Sequence, residues 1–373
     1  MRIGFDAKRF FHNTRGLGNY SRDTLRLLTE NFPKNEYLLF NPKESHKFAV
    51  SMLKNVRELR PKSLIGKTIP SFWRSMEICS DIRKYKIDIF HGLSQELPIG
   101  IKRTGARSVV TFHDAIFIRY PELYPYYYRK IFEQKNKYSC RNADRIIAIS
   151  EQSKRDAIDF FGADEKKISV VYQGCNSIFW NSVDNDKKQA VRKAYRLTNT
   201  FLLYVGAIEK RKNARLIIEA LHRKSLEIPL LIVGKPSNYM YELKKIISDY
   251  KMEQQVIFRH NVDTADLPAI YSASAAFIYP SLFEGFGIPV LEALATGTAV
   301  ITSRGSCFEE TGGDAAIYVD PLDADELGEA IERVLTDNTV RNRMIAKGKE
   351  HAKKFRDDRI ASSLMEVYDL LKY

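Results

Sequence analysis

The chain has 373 residues, 44% of them hydrophobic, with 59 Lys and Arg against 46 Asp and Glu and a net charge of +13. That length predicts two globular domains of ordinary size rather than one core. The opening MRIGFDAKRFF carries charge where a secretory leader needs an apolar stretch, and no run approaches the roughly 20 apolar residues of a membrane-spanning helix, so the expected location is cytoplasmic.

RIGFDA predicts a first strand, and HNTRGLGNYSR a turn holding Gly16 and Gly18 ahead of the amphipathic helix SRDTLRLL. The turn admits a substrate to bare backbone. It is not the dinucleotide fingerprint, which would need a glycine at Ser21, and no G-x-x-x-x-G-K-[ST] exists, so a nicotinamide enzyme is poorly supported and a P-loop kinase is excluded. YLLF from Tyr37, IDIFHG from Ile87, SVVTFHD from Ser108, RIIAIS from Arg145 and ISVVYQG from Ile168 continue the strand rhythm. Two of these runs deliver His91 and the pair His113–Asp114 to their carboxyl ends, where a histidine donates to substrate hydroxyls or shares protons near neutral pH. A hydrogen-bonded structural histidine is the commoner case.

Between Tyr120 and Arg145, Tyr124, Tyr126, Tyr127, Tyr128 and Phe132 interleave with Arg129, Lys130, Lys135 and Lys137. Two readings stand there, a membrane-interface segment and a helix with a tyrosine packing face. Residues 1–175 hold 32 Lys and Arg against 19 Asp and Glu, whereas residues 176–373 hold 27 of each. All the excess therefore lies in the first half, where it suits a phosphorylated substrate, anionic lipid or nucleic acid. Cys79, Cys140, Cys175 and Cys307 form no C-x-x-C pair and have no histidine at zinc spacing, which predicts reduced core residues.

From Cys175 to Thr200 the chain turns polar, which marks residues 176–200 as a linker between domains at 1–175 and 201–356. FLLYVG from Phe201, LLIVG from Leu230, AAFIY from Ala275, AVITS from Ala299 and AAIYV from Ala315 then alternate with helical stretches. Runs this continuously apolar belong to parallel strands covered on both faces. The helix pattern within 357–373 trails the last strand and is expected to return to the first domain. Ligands of such sheets bind beyond the carboxyl ends of the strands, so the two domains should face one another across a cleft closed by hinge motion.

After FLLYVG, the turn AIEKRKN brings Arg211 and Lys212 to that edge, a planar fork and a compact charge suited to a diphosphate. YPSLFEGFGIPVLEALATG, from Tyr279 to Gly297, sets Glu284 in a turn where Gly285 and Gly287 allow positive φ and close ligand approach. Pro289 fits the first helical position, Gly297 the stop, and Glu292 the first turn, at a helix start that attracts anions. Asp184 with Asp186 lies in the polar linker and Asp323 with Asp325 feeds a helix, so no required metal is expected.

EGFGIPVLEALATG with Glu284 and Glu292, RKN at Arg211–Asn213, and FHD at His113 together resemble the retaining glycosyltransferases of family 4, the group 1 transferases. GLGNY near the amino terminus, ADRIIAISEQSKRD from Ala143 and DLPAIYSASAAFIYPS from Asp266 carry the resemblance over nearly the whole chain. It implies an α/β architecture of two facing doubly wound Rossmann-like domains, the GT-B fold, with the acceptor on the first and the nucleotide sugar on the second. It also implies transfer of a sugar from a nucleoside diphosphate with retained configuration, without cofactor or metal. GDP-mannose is the first donor expected and UDP-sugars the alternative. A glycan or lipid-linked acceptor of bacterial surface polysaccharide synthesis is implied too, at the inner face of a membrane. On this resemblance His113 and Glu284 serve the sugar as catalytic residues, Glu292 the ribose, and Arg211 and Lys212 the diphosphate. Gly285, Phe286, Gly287 and Ile288, with Gly18 at the amino-terminal turn, touch the donor. Many relatives place an Arg where this chain has Ala207. A nucleotide-sugar epimerase or hydrolase of the same fold is the competing enzyme reading. A basic nucleic-acid-binding protein is the other, and lacks base-stacking or groove-entering elements.

Overall fold

The computed structural model describes residues 1–50 and 53–372. They fall into two compact units, Met1–Gln173 together with the chain from Asp357 onward, and Gly174–Arg356. In the first, β1 (Arg2–Asp6), β2 (Glu36–Phe40), β3 (Val56–Leu59), β4 (Ile89–Gly92), β5 (Arg107–Phe112), β6 (Arg145–Ala148) and β7 (Ile168–Val170) form one sheet, ordered β3-β2-β1-β4-β5-β6-β7. Every pairing is parallel. In the second, β8 (Leu202–Val205), β9 (Leu230–Val233), β10 (Val256–Arg259), β11 (Ala276–Tyr279), β12 (Val300–Ser303) and β13 (Ala316–Val319) form a parallel sheet ordered β10-β9-β8-β11-β12-β13. β4, β9, β11 and β12 are buried at every residue, because helices cover both faces, and this is why their sequences read as unbroken apolar runs.

Each sheet reverses its strand order once, between β1 and β4 in the first and between β8 and β11 in the second. Those reversals are the topological switch points, where the loops at the carboxyl ends diverge and leave a crevice. The loop after β8 carries Arg211 and Lys212, and the loop after β11 carries Glu284.

The helix Asp357–Asp369 packs on the helix Gly16–Asn31 of the first unit, joined by the Arg26–Asp357 ion pair at 2.9 Å. Residues 176–200 are not bare linker. Asp184 caps the helix Asn185–Tyr195 by accepting from Lys187 N, and Tyr195 and Lys187 both hold Asp266 of the second unit. Asp323 likewise caps the helix Ala324–Thr336. The four cysteines are buried and free.

Candidate active site

The turn after β8 is short and tightly stitched. Lys210–Lys212 make one 3₁₀ turn, Asn213 takes a left-handed φ of 58°, and its amide donates to the carbonyls of Pro280 (3.1 Å) and Pro321 (2.7 Å). Leu282 N donates to Arg211 O at 2.9 Å, so the two strand-end loops share backbone bonds. The result is a buried ionic cluster. Glu284 Oε1 lies 3.0 Å from Arg211 Nη1 and accepts from Lys212 Nζ, from Tyr279 OH at 3.0 Å and from Ser281 Oγ at 2.8 Å. Lys212 Nζ also donates to Tyr279 OH at 2.7 Å, and Arg211 to the Phe283 carbonyl.

Four donors on one oxygen decide the charge state. Burial pushes the Glu284 carboxyl up, but Lys212 and Arg211 outweigh it and hold it at about 2. Lys212 is drawn below the usual lysine range by burial, with Glu284 opposing that shift. The cluster thus stores one carboxylate and two cations in a place from which water is largely excluded. The sequence reading gave Glu284 to a sugar and the two cations to a diphosphate, and the structure ties all three together.

Gly287 begins the helix Ile288–Thr296 with φ 89°, and Gly297 ends it with φ 77°. Gly285 does not need positive φ, so only one of the two turn glycines serves that purpose. Phe286 is a buried packing residue, edge-on to Phe355, while its carbonyl accepts from Thr311 Oγ1. Ile288 is the first helical residue and Pro289 the second. Glu292 therefore lies in the second turn, not the first, because the helix starts one residue earlier than Pro289 suggests. Instead of the helix start, it meets Tyr271 of the neighbouring helix Leu267–Ala273, whose OH donates at 3.0 Å. Burial, opposed by this bond, pushes the Glu292 carboxyl up to about 7.

In the first unit His113 is 4% exposed just past β5. Its Nε2 faces the Leu93 carbonyl at 2.8 Å and must carry the proton, which leaves Nδ1 with a lone pair. Burial pulls its pKa to about 4, so the ring is neutral at pH 7 and accepts through Nδ1 rather than acting as a shared-proton group. Tyr20 stands edge-on to it at 4.7 Å. His91 has no such spare atom. Its Nδ1 meets Tyr368 OH at 2.7 Å and its Nε2 meets Thr111 Oγ1 at 2.8 Å, which also meets Tyr20 OH at 2.9 Å. It is a structural histidine.

Gly18 sits within the helix Gly16–Asn31, not in a turn before it. A Cβ there would lie 1.8 Å from the Asn13 carbonyl oxygen, so chain packing alone demands the glycine. The sequence reading overlooked Tyr279, Ser281 and Tyr271. Their signal was present, since a tyrosine buried in an apolar strand or helix needs a partner for its hydroxyl. In the segment 120–145 Tyr124, Tyr128 and Phe132 stack against the core, as the packing reading expects, while Tyr126 and Tyr127 are exposed.

Residues 185–351 match the family model for glycosyl transferases group 1, and residues 15–177 that for Glycosyltransferase Family 4. The chain is 29% identical to O-antigen chain mannosyltransferase B of Escherichia coli over 78% of its own length and 76% of the relative's. It is 30% identical to O-antigen chain mannosyltransferase RfbU of Salmonella typhimurium, over 64% of this chain and 67% of the relative. Among solved structures, Anabaena Alr3699/HepE in complex with UDP superposes with a TM-score of 0.81 over 99% of this chain and 100% of the other, at 17% identity.

Proposed function

The chain belongs to the glycosyl transferases of group 1 and Glycosyltransferase Family 4 and is a glycosyltransferase of GT-B fold, and from that premise we propose that it transfers mannose from GDP-mannose with retained configuration. The acceptor is a glycan, free or lipid-linked, in bacterial surface polysaccharide synthesis, and the enzyme works at the inner face of the membrane without a metal or cofactor. The observation that carries this reading is the buried cluster of Glu284, Arg211 and Lys212 at the second sheet's switch point. The mannosyltransferase relatives support mannose and hence a guanosine donor.

When a sugar leaves a diphosphate, positive charge grows on the ring and negative charge on the departing phosphate. Arg211 and Lys212 exchange part of their contact with Glu284 for phosphate oxygens, and they stabilise the leaving group as a metal ion would. Glu284, ionised and anchored through Oε1 by Tyr279 and Ser281, keeps its other oxygen for a sugar hydroxyl and for the ring's developing charge. His113 accepts a sugar hydroxyl at Nδ1. Glu292 takes the ribose hydroxyls, and the amides of Gly285 to Ile288 line the donor. Gly18 keeps its place as a donor contact through backbone only. No side chain is assigned as a nucleophile, so departure and acceptor attack share one face and the leaving phosphate takes the acceptor proton.

Calorimetric titration with GDP, UDP and their sugars tests the donor. Tight GDP and weak UDP binding is the expected result, the reverse order assigns a uridine donor, and binding by no nucleotide overturns the reading. Donor turnover at full rate without any acceptor would assign hydrolysis or epimerisation instead.

A further inference from the structure

Apolar exposure in the first unit is concentrated, not scattered. Of the thirteen large hydrophobic residues exposed on the described chain, six belong to two adjoining segments: Leu64, Ile65, Ile69, Phe72, Met76 and Ile99. Ile65, Ile69, Phe72 and Met76 recur at steps of four, three and four, the spacing of one helical face, along Leu64–Thr68, Pro70–Phe72 and the wider turn Trp73–Glu77. Ile99 joins them, its amide donating to Ser75 O at 2.7 Å. The inner face of the same segment is fully engaged. Trp73 is 1% exposed and donates from Nε1 to Asp81 at 2.8 Å, and Arg74 is ion-paired with Asp6 and Glu96. A segment pinned this way cannot turn its outer row into the core. Single exposed apolar residues are ordinary, but a contiguous row marks a contact surface.

Beside the row, at the carboxyl ends of β2 and β3, lies a cavity of about 690 Å³ whose wall includes Lys43, Arg60, Lys62 and Lys67. Arg60 is neutralised by Glu44 and Glu58. Lys43, Lys62 and Lys67 have no ion-pair partner among the described residues. Lys67 belongs to both features, since it stands on the helix between Ile65 and Ile69. Exposed Lys102 and Arg103 follow Ile99 on the other side of the row. A second copy of the chain could cover the apolar residues, but a self-complementary contact would press these lysines against their own counterparts. The charge selects an anionic partner.

We propose that this row and cavity dock the protein on anionic phospholipid, with Ile65, Ile69, Phe72 and Met76 entering the acyl boundary while Lys43, Lys62 and Lys67 hold lipid phosphate. The proposal names the surface behind the membrane-side location given above and rests on that location, not on the donor chemistry. It also moves the membrane contact away from Tyr120–Arg145, where Tyr124, Tyr128, Phe132 and Tyr138 are spent on packing.

Full-length protein sedimented with phosphatidylcholine vesicles, with and without phosphatidylglycerol, tests it. Binding is expected only to the anionic vesicles and should fall steeply with salt. The double variants K62E/K67E and I69S/F72S, all at exposed positions, should each weaken it by roughly tenfold or more, with melting temperatures unchanged. At matched ionic strength, inorganic phosphate should weaken vesicle binding no more than chloride does. Complete competition by phosphate at an ionic strength where chloride leaves binding intact would make free phosphate the ligand and overturn docking. Equal binding to neutral vesicles, or wild-type binding by both variants, would also overturn it. So would a dimer in sedimentation velocity that I69S/F72S dissolves. Nucleotide titration of the same proteins separates the two claims: nucleotide binding without vesicle binding overturns the docking surface alone, and vesicle binding without nucleotide binding overturns the transferase reading alone.

Discussion

Glu284 and Glu292 are eight residues apart and have opposite electrostatic lives. Glu284 sits at about 2 when folded, below its ordinary carboxylate value, because two cations overcome its burial. A depressed acid stabilises the fold at pH values above its unfolded pKa, and that stability drains as pH falls through the folded value. The loss should therefore fall between about pH 4.5 and pH 2 and be on the order of 3 kcal/mol. Urea unfolding of the wild type and Glu284→Gln near pH 5 and near pH 3 checks this, and equal acid sensitivity of the two proteins would refute it. Glu284→Gln should also reduce turnover by about a hundredfold or more while nucleoside diphosphate binding holds or tightens, because it releases Arg211 and Lys212. Glu292 follows the opposite sign. Its carboxyl is raised to about 7, so its native state is favoured while protonated and loses ground as pH climbs from the unfolded value to 7. Ribose hydroxyls need the ionised form as acceptor. Nucleotide affinity should then rise several-fold from about pH 6 to about pH 8, and Glu292→Gln should abolish that rise. A pH-independent wild-type affinity would remove Glu292 from the ribose.

Elements were legible where burial makes sequence monotonous. The eleven runs read as strands all lie on strands, since a parallel strand covered on both faces is dominated by apolar residues. The two that escaped, VREL at β3 and VIFR at β10, are each an edge strand with partly exposed residues; Arg57 and Glu58 break the first run and Arg259 ends the second. Helix starts were less legible. Glycines at 16 and 18 suggest a turn, yet the helix begins at Gly16, and position 18 is glycine because the Asn13 carbonyl, which accepts from Arg22 Nη1, passes too close for any Cβ there. At the site, residue types were readable from the sequence, but the convergence of four donors on Glu284 Oε1 was not, because it depends on how two loops from adjacent strands meet. The glycine pair gives a clean test. Gly16 has open space around it, so Gly16→Ala should be neutral or mildly stabilising, whereas Gly18→Ala should cost about 1–3 kcal/mol despite alanine's better helix propensity. Urea midpoints compare them, and equal effects would show that the Asn13 contact is not what requires glycine.

At the scale of the whole molecule the chain leaves its first unit once, at Gln173, and returns to it at Asp357, so that unit is closed by residues remote in sequence while the second is contiguous. The amphipathic pattern of Asp357–Asp369 announces a helix with an apolar face but does not say which sheet receives it. Specific polar contacts decide: Tyr368, fully buried, meets His91 Nδ1, and Asp357 meets Arg26. The helix also buries Ile360, Leu364, Met365 and Val367, worth roughly 1.5–3 kcal/mol each before ordering entropy is charged against them. A chain ending at Arg356 should consequently lose most of the first unit's stability and little of the second's. Hydrogen exchange by mass spectrometry reads the two separately, with peptides over β4 and β5 expected to exchange rapidly and those over β8 and β11 to keep their protection. Tyr368→Phe is the milder arm, leaving the packing intact and His91 Nδ1 unpaired, and should cost about 1–3 kcal/mol in the first unit alone. If truncation instead deprotected β8 and β11 as strongly as β4 and β5, the helix would be holding the entire protein and not the unit whose histidine it meets.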